Sequence, residues 1–374
     1  MNIVNQGLIF DSSDADVSRK VTAFASLCVA GSGSIFSVSQ IGPIKNAATS
    51  TLLLCRSHDR GRNWQAIDFK FETQVDGVQG SLSAGEMVEV APGRLLLIAT
   101  WFDRSDPSLP LFDAKSGGIL HSKQLLAEST NDGESWNSWR EIDTADLKGC
   151  ALTGPILKWP DGTLGFACES FKEFDDPRPG HHAAWLIISR DQGESFGEPL
   201  LVAEHPLHEV YYWDQRLCVG SGGAGYTAMF WSHDLAEKKD LNVNLGRGRL
   251  VNDALECDPI KETNIPGQIA APLWLDDGRL VAFVVERNQT STLTLWMSRD
   301  EGASWSEKLV IYNHQEQAVI SQGAEGVDFN EYWDDMAKWS FGHPVVRSLG
   351  NELLLSFYAG PPDQMSLHWS RVGL

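Results

Sequence analysis

The sequence predicts an all-β chain, a six-bladed β-propeller of four-stranded antiparallel blades, and three observations predict it. A turn of the form Ser-x-Asp-x-Gly-x-x-Trp recurs at Ser57–Trp64, Ser189–Phe196 and Ser298–Trp305, with Phe196 as the aromatic in the second copy. Ser129–Trp136 keeps the spacing with Asn131 at the Asp position, Asn242–Gly246 reads as a degraded copy, and a sixth would begin at Ser370. A second mark precedes each copy: an apolar run, a glycine turn, then another apolar run. Marks and turns alternate strictly, as they do when one supersecondary unit repeats. The third observation is the N-terminal run Gly7-Leu8-Ile9-Phe10, free to supply the outer strand that the last blade lacks.

Each element follows from local chemistry. The turn's Asp folds back onto its own amides, its Gly supplies a positive φ, and its aromatic packs over the hairpin. Apolar runs such as Thr51–Cys55, Ala184–Ile188 and Leu293–Met297 lead into these turns as third strands. The second marks read Phe24–Val29 before Gly31-Ser32-Gly33, Met87–Val90 before Pro92-Gly93, and Ile156–Trp159 before Asp161-Gly162. They continue with Arg216–Val219 before Gly220–Gly223, Leu273–Leu275 before Asp277-Gly278, and Val345–Val346 before Gly350-Asn351. One domain spanning 1–374 is expected, with a strand at about 3–10 completing blade 6 and leaving no exposed edge.

This geometry predicts which face carries function. Turns between strands 1 and 2 and between strands 3 and 4 share one face. The 2–3 loops and the connections between blades share the other. The long irregular segments Asp103–Ser122, Ser170–His182, His233–Asp240 and Asn313–Phe341 all belong to that second face. The last holds Tyr332, Trp333 and Trp339, aromatic surface suited to stacking on sugar rings.

Composition excludes some partners. Thirty basic against 50 acidic residues give a net charge of −20, which argues against nucleic acid or an anionic membrane. An acidic ligand would then need a local arginine cluster. The six cysteines (28, 55, 150, 168, 218 and 257) lie singly, in no metal or redox spacing. They read as reduced, buried hydrophobes of a cytoplasmic protein. Met1–Asn5 shows no leader pattern, and no apolar run approaches membrane-spanning length. His181-His182 and the His205/His208 pair lack a third partner at ligand spacing, so neither a metal nor a cofactor is expected.

The repeated turn is the Asp-box, and the chain resembles the sialidase-like Asp-box (BNR-repeat) propellers. The resemblance implies three arginines clamping a carboxylate, a tyrosine nucleophile paired with a glutamate, and an aspartate as acid/base. A bidentate guanidinium fits a carboxylate, and a neutral tyrosine avoids driving one anion against another. Two of these roles are vacant where the motif places them. Ala23 stands at the arginine position of Ala23-Phe24-Ala25-Ser26-Leu27, with Arg19 four residues upstream, and Gly42–Ala47 holds no carboxylate.

Other positions fit better. Tyr358 and Glu286 end second strands of adjacent blades, as a nucleophile and its partner would, and Arg287 follows as a clamp. Asp214 and Arg216 lie in the polar run His208–Arg216, where they could serve substrate or simply pair with each other. Asp214 and His343 complete the catalytic candidates with Tyr358 and Glu286. Arg287, Arg216, Arg104, Arg19, Glu86, Glu169, His233, Tyr211, Tyr212 and Trp339 are the substrate-binding candidates around one mouth. The leading expectation is a sialidase-like exo-glycosidase that removes a terminal acidic sugar from a glycan. The alternatives are a lyase cleaving a uronic-acid glycan by β-elimination, and a glycan-binding propeller without catalysis. Oligomerisation is left open.

Overall fold

A computed structural model describes residues 1–315, 332, 336 and 338–374. Among these, six antiparallel sheets follow one another as blades. The second and third strands are regular: Ile35–Gly42 and Thr51–Ser57 in blade 1, Arg94–Asp103 and Ser122–Ser129 in blade 2, Leu164–Ser170 and Ala183–Ser189 in blade 3. Blades 4 to 6 use Tyr226–Asp234 with Asn244–Val251, Leu280–Glu286 with Thr292–Ser298, and Glu352–Ala359 with Ser366–Gly373. Asn2–Phe10 pairs antiparallel with Ser366–Gly373 as the outer strand of blade 6, in the register Asn2↔Gly373 to Phe10↔Leu367. The ring therefore closes with the N-terminal strand in the last blade, as the sequence predicts.

Both faces of each blade are covered by a neighbour, which is why the strands read as continuous apolar runs. Phe36, Val38, Leu52 and Leu54 of blade 1 pack against Leu95, Leu97, Ala99 and Trp101 of blade 2. Val281, Phe283 and Val285 of blade 5 pack against Val346, Leu353 and Leu355 of blade 6. Val21, Ile35 and Leu53 close the circle against Leu354, Leu367 and Trp369. Each fully buried Leu or Phe in these seams contributes about 1.5–3 kcal/mol. The core is thus a set of seams between blades. Five of the six cysteines are buried in or beside them, but Cys257, on the outer strand Ala254–Cys257, is exposed.

Four copies of the repeated turn are built alike. In the first, Gly61 N–H donates to Ser57 Oγ at 2.9 Å, and Asn63 N–H donates to Asp59 Oδ1 at 2.8 Å. Trp64 Nε1 donates to the Gly61 carbonyl at 3.0 Å. Asn131 does the same work in the second, accepting Ser135 N–H at 3.0 Å. Two predicted copies are not there. Asn242–Gly246 runs into the third strand of blade 4, and Gly246 lies flat under Phe230, whose ring a Cβ would meet at 3.0 Å. The turn that ends that strand is Asn252-Asp253, both at positive φ (47° and 65°), a two-residue hairpin connection. Ser370 lies inside the strand Ser366–Gly373, paired with Leu355.

Candidate functional site

The inner strands are broken where they reach the channel mouth on the face of the 2–3 loops. In blade 4 the register slips between Trp213 and Arg216, with Asp214 at φ 47°. In blade 6 it slips between Gly342 and Val345, with His343 at φ 53°. In blade 1, Phe24 at φ 54° separates Val21–Ala23 from Cys28–Val29. A left-handed non-glycine residue costs about 1–2 kcal/mol, and bulges of this kind re-aim side chains. All three strained residues line the same cavity. Strain of this type concentrates at functional sites.

The cavity holds about 130 Å³. Its lining combines the polar and charged side chains of Lys45, Asp214, Arg216, Arg287, His343 and Tyr358 with apolar ones, among them Phe102, Leu111, Phe112, Leu152 and Phe171. Lys45 Nζ, on a residue 4% exposed, donates to the Tyr358 hydroxyl at 2.9 Å and to the Trp339 carbonyl at 3.4 Å. The ammonium lies 5.2 Å from the Phe24 ring centroid and 5.8 Å from that of Trp339. Arg287 stacks on the same Trp339 ring at 4.6 Å and donates through Nη2 to the Phe341 carbonyl at 3.1 Å. Gly342 allows this crowding. A Cβ there would sit 2.3 Å from Arg287 Nη2 and 3.4 Å from the Tyr358 hydroxyl.

Arg216 Nη2 bonds Asp214 Oδ1 at 2.8 Å and His343 Nδ1 at 2.9 Å. A guanidinium only donates, so His343 Nδ1 accepts and its ring proton sits on Nε2. Burial, reinforced by the Arg216 charge, holds His343 well below the usual histidine range, so it is neutral. Burial lowers Lys45, against the opposing pull of Tyr358. Burial also raises Asp214, with Arg216 and Arg287 opposing. Nε and Nη1 of both arginines are buried without a hydrogen-bond partner. These four N–H-bearing nitrogens are the site's open valences.

Behind Asp214, Glu169 is buried and pushed up by desolvation. It accepts Gln215 N–H at 2.7 Å and meets His182 Nε2 at 3.3 Å. Gln215 donates to the carbonyls of Cys168 and Trp185, tying blade 4 to blade 3. Among the described residues, no group of three or more His, Cys, Asp and Glu is arranged to hold a metal ion.

No family model matches the chain, and no curated protein matches it. Solved structures do. A Dyadobacter fermentans protein of unknown function shares 15% identity over 100% of this chain and 99% of its own, with a TM-score of 0.74. A Hadza microbial sialidase shares 14% over 99% of this chain and 68% of its own, at TM-score 0.69. The fold is that of the sialidase propellers. The Trypanosoma rangeli sialidase, solved with sialic acid, matches at TM-score 0.63 and 10% identity, over 98% of this chain and 58% of its own.

Within this sialidase-like propeller the predicted residues divide. Tyr358, Asp214, His343, Arg287, Arg216, Glu169 and Trp339 line the cavity. Glu286 does not pair with Tyr358. Its carboxylate accepts the amides of Asn288 (2.7 Å), Gln289 (2.8 Å) and Thr290 (2.5 Å), capping its own loop. Arg104 is a loop clamp, donating to Ser81 Oγ, the Leu109 carbonyl and the Asn46 carbonyl. Arg19 is exposed and packs over the Phe10 ring at 5.6 Å, away from the mouth. Glu86 is buried deeper in the channel, coupled to Arg347 and Arg216. His233 bonds Asp240 Oδ1 at 3.1 Å, and Tyr332 bonds the same oxygen at 2.9 Å. Tyr211 donates to the Gly180 carbonyl at 2.9 Å behind His182, and Tyr212 packs on Phe230 at 5.6 Å. Trp333 lies outside the described residues.

The sequence assigns no site role to Lys45 or Phe24 and considers His182 only as a metal ligand, yet all three line the cavity. Gly42–Ala47 reads as a loop without a carboxylate, and its lysine attracts no role. One signal was available: the loop's flanking strands, Ile35–Gly42 and Thr51–Ser57, are apolar, which delivers Lys45 to a buried place.

Proposed function

We propose that this protein is an enzyme acting on a glycan with a terminal carboxylate-bearing sugar, hydrolysing it as a sialidase-like exo-glycosidase. One observation carries the reading: the unpartnered Nε and Nη1 atoms of Arg216 and Arg287, buried in the cavity wall beside Tyr358. Buried polar groups are normally satisfied, so four open donors on two guanidinium groups point to an absent acceptor. A carboxylate, with two anionic oxygens, is the acceptor that separate N–H donors from two guanidinium groups fit. The sialidase neighbours support the choice of substrate class, since one of them was solved with sialic acid.

In this reading Tyr358 Oη attacks the anomeric carbon. Its proton passes to Lys45, whose amine is held toward its neutral form by burial. Asp214, held toward its protonated form, donates to the leaving oxygen as its bond to the anomeric carbon breaks. The resulting carboxylate then takes a proton from the water that displaces Tyr358, whose oxygen recovers its proton from Lys45. Arg216 and Arg287 hold the sugar carboxylate, and Trp339 faces the ring. Lys45 stands in the loop where the family resemblance expects an aspartate, and among the described residues no glutamate bonds Tyr358. The catalytic set of this reading, with Lys45 at Tyr358, departs from the one the resemblance implies.

The departure favours a second reading. An amine beside a tyrosine hydroxyl, with guanidinium groups to neutralise a carboxylate, also suits abstraction of the proton α to that carboxylate. Asp214, held toward its protonated form, would then protonate the leaving oxygen of a uronic-acid glycan, with the neutral His343 donating a hydrogen bond from Nε2. Release of free sugar from a chromogenic sialoside supports hydrolysis. A new ultraviolet-absorbing double bond in the products of a uronic polymer supports elimination. Saturable glycan binding with neither product contradicts both and leaves a binding module.

A further inference from the structure

The hydrolytic reading uses Lys45 only to take up a proton, yet its surroundings are those of a nucleophilic amine. Nζ is at the cavity wall, 2.9 Å from a hydroxyl that can shuttle protons. The rings of Phe24, Tyr358 and Trp339 stand 5.2, 5.1 and 5.8 Å from it. Arg287 shares the Trp339 ring with it. A lysine desolvated among rings and beside another cation is the setting in which an amine attacks carbonyl carbon. The neighbouring guanidinium edges select which carbonyl compound enters.

We propose that Lys45 forms an imine with 2-oxo acids, the carboxylate lying on Arg287 and Arg216 and the adjacent keto carbon on the lysine nitrogen. The proposal rests on the same carboxylate socket as the hydrolytic reading and extends it. A sugar whose anomeric carbon bears the carboxylate opens, once released, to a 2-oxo acid. The product of hydrolysis thus carries the group that Lys45 would capture.

The step balances without a redox partner. The amine lone pair attacks C2, and the carbonyl π bond breaks onto oxygen, which takes the Tyr358 proton. The nitrogen returns a proton to Tyr358, giving a carbinolamine. The C–O bond then breaks as nitrogen and carbon form their double bond. The oxygen leaves as water, both of its hydrogens having come from the amine through Tyr358. Lowering of Lys45 by burial increases the neutral amine available near pH 7. The surrounding rings limit the water that would reverse the step.

The test is reductive trapping of the full chain with pyruvate and borohydride, followed by peptide mapping. The expected result is reduced pyruvate on Lys45 at about tenfold or more above any other lysine. Arg287→Gln is expected to lower the adduct, and acetone, which lacks the carboxylate, is expected to label Lys45 poorly. Modification of surface lysines with Lys45 untouched overturns the proposal, and so does equal labelling of Lys45 by acetone. The wild-type map decides even where the variant does not fold. Sialoside hydrolysis without an adduct removes only the imine. An adduct without hydrolysis removes only the hydrolytic reading.

Discussion

The two faces of the ring are made by the same strands, but the aspartates of the turns and the arginines of the loop face are treated in opposite ways. On the turn face, Asp59 accepts the amides of Arg62 and Asn63 and the Asn63 side chain, and its partners are complete. Those bonds hold its carboxylate down at about 2, and Asp191 and Asp300 are held the same way. On the loop face, Arg216 and Arg287 keep open N–H groups in a buried wall. Burial there drives Lys45, Asp214 and His343 toward their neutral forms. Saturated polar groups hold a fold together. Unsaturated buried ones are retained at a stability cost and mark where a ligand completes them.

That contrast predicts that front-face substitutions alter chemistry and turn-face substitutions alter stability. The largest effect is expected from Tyr358→Phe, which keeps the ring and removes the hydroxyl. Turnover should fall roughly 10³-fold with the melting temperature little changed. Arg287→Ala comes next. Loss of one guanidinium group of the socket should weaken an acidic sugar by about 2–4 kcal/mol, ~30- to 1,000-fold in Kd, by calorimetry. Arg287→Met should leave stability unchanged or raise it, because it removes open buried donors. A large loss of stability in that variant would break the comparison.

The channel interior gives a third test, in pH. Glu86 is buried, with Oε2 lacking a partner, and desolvation raises its pKa to about 7. The folded state therefore binds this proton more tightly than the unfolded chain does. Stability is fully present below the ordinary value of 4.5 and declines as pH rises through about 7. Glu86→Gln should flatten that decline, with a difference on the order of 3 kcal/mol between the two ends of the window. Urea unfolding from pH 4 to pH 8 measures it, and an unchanged slope contradicts the assignment. The smallest effect belongs to the turns. Asp191→Ala should cost about 1 kcal/mol, by analogy with a lost helix cap, and leave turnover alone.

The fold was legible because its signals are local. Ser57, Asp59, Gly61 and Trp64 make their bonds within eight residues, so their spacing is visible in the chain. Where the turn is a bare Asn252-Asp253, spacing misleads, and Asn242–Gly246 mimics a motif from inside a strand. The site was legible only in part. Asp214, Arg216, Arg287, His343 and Tyr358 stand at or near breaks and ends of channel-side strands, which placed them at one mouth. Their partners come from other blades, and no spacing reports that. Lys45 meets Tyr358 across 313 positions of sequence. Glu286 shows the converse, since a carboxylate satisfied by Asn288, Gln289 and Thr290 looks the same in sequence as one awaiting a partner.

The central claim is that Arg216 and Arg287 form a socket for a sugar carboxylate. The most direct measurement is calorimetric binding of sialic acid and glucuronic acid, each beside its own carboxamide, to the wild type and to Arg287→Ala. At least one acid is expected to bind the wild type, its amide to bind roughly 30-fold or more weakly, and Arg287→Ala to abolish the difference. An amide that binds the wild type as well as its acid would contradict the claim.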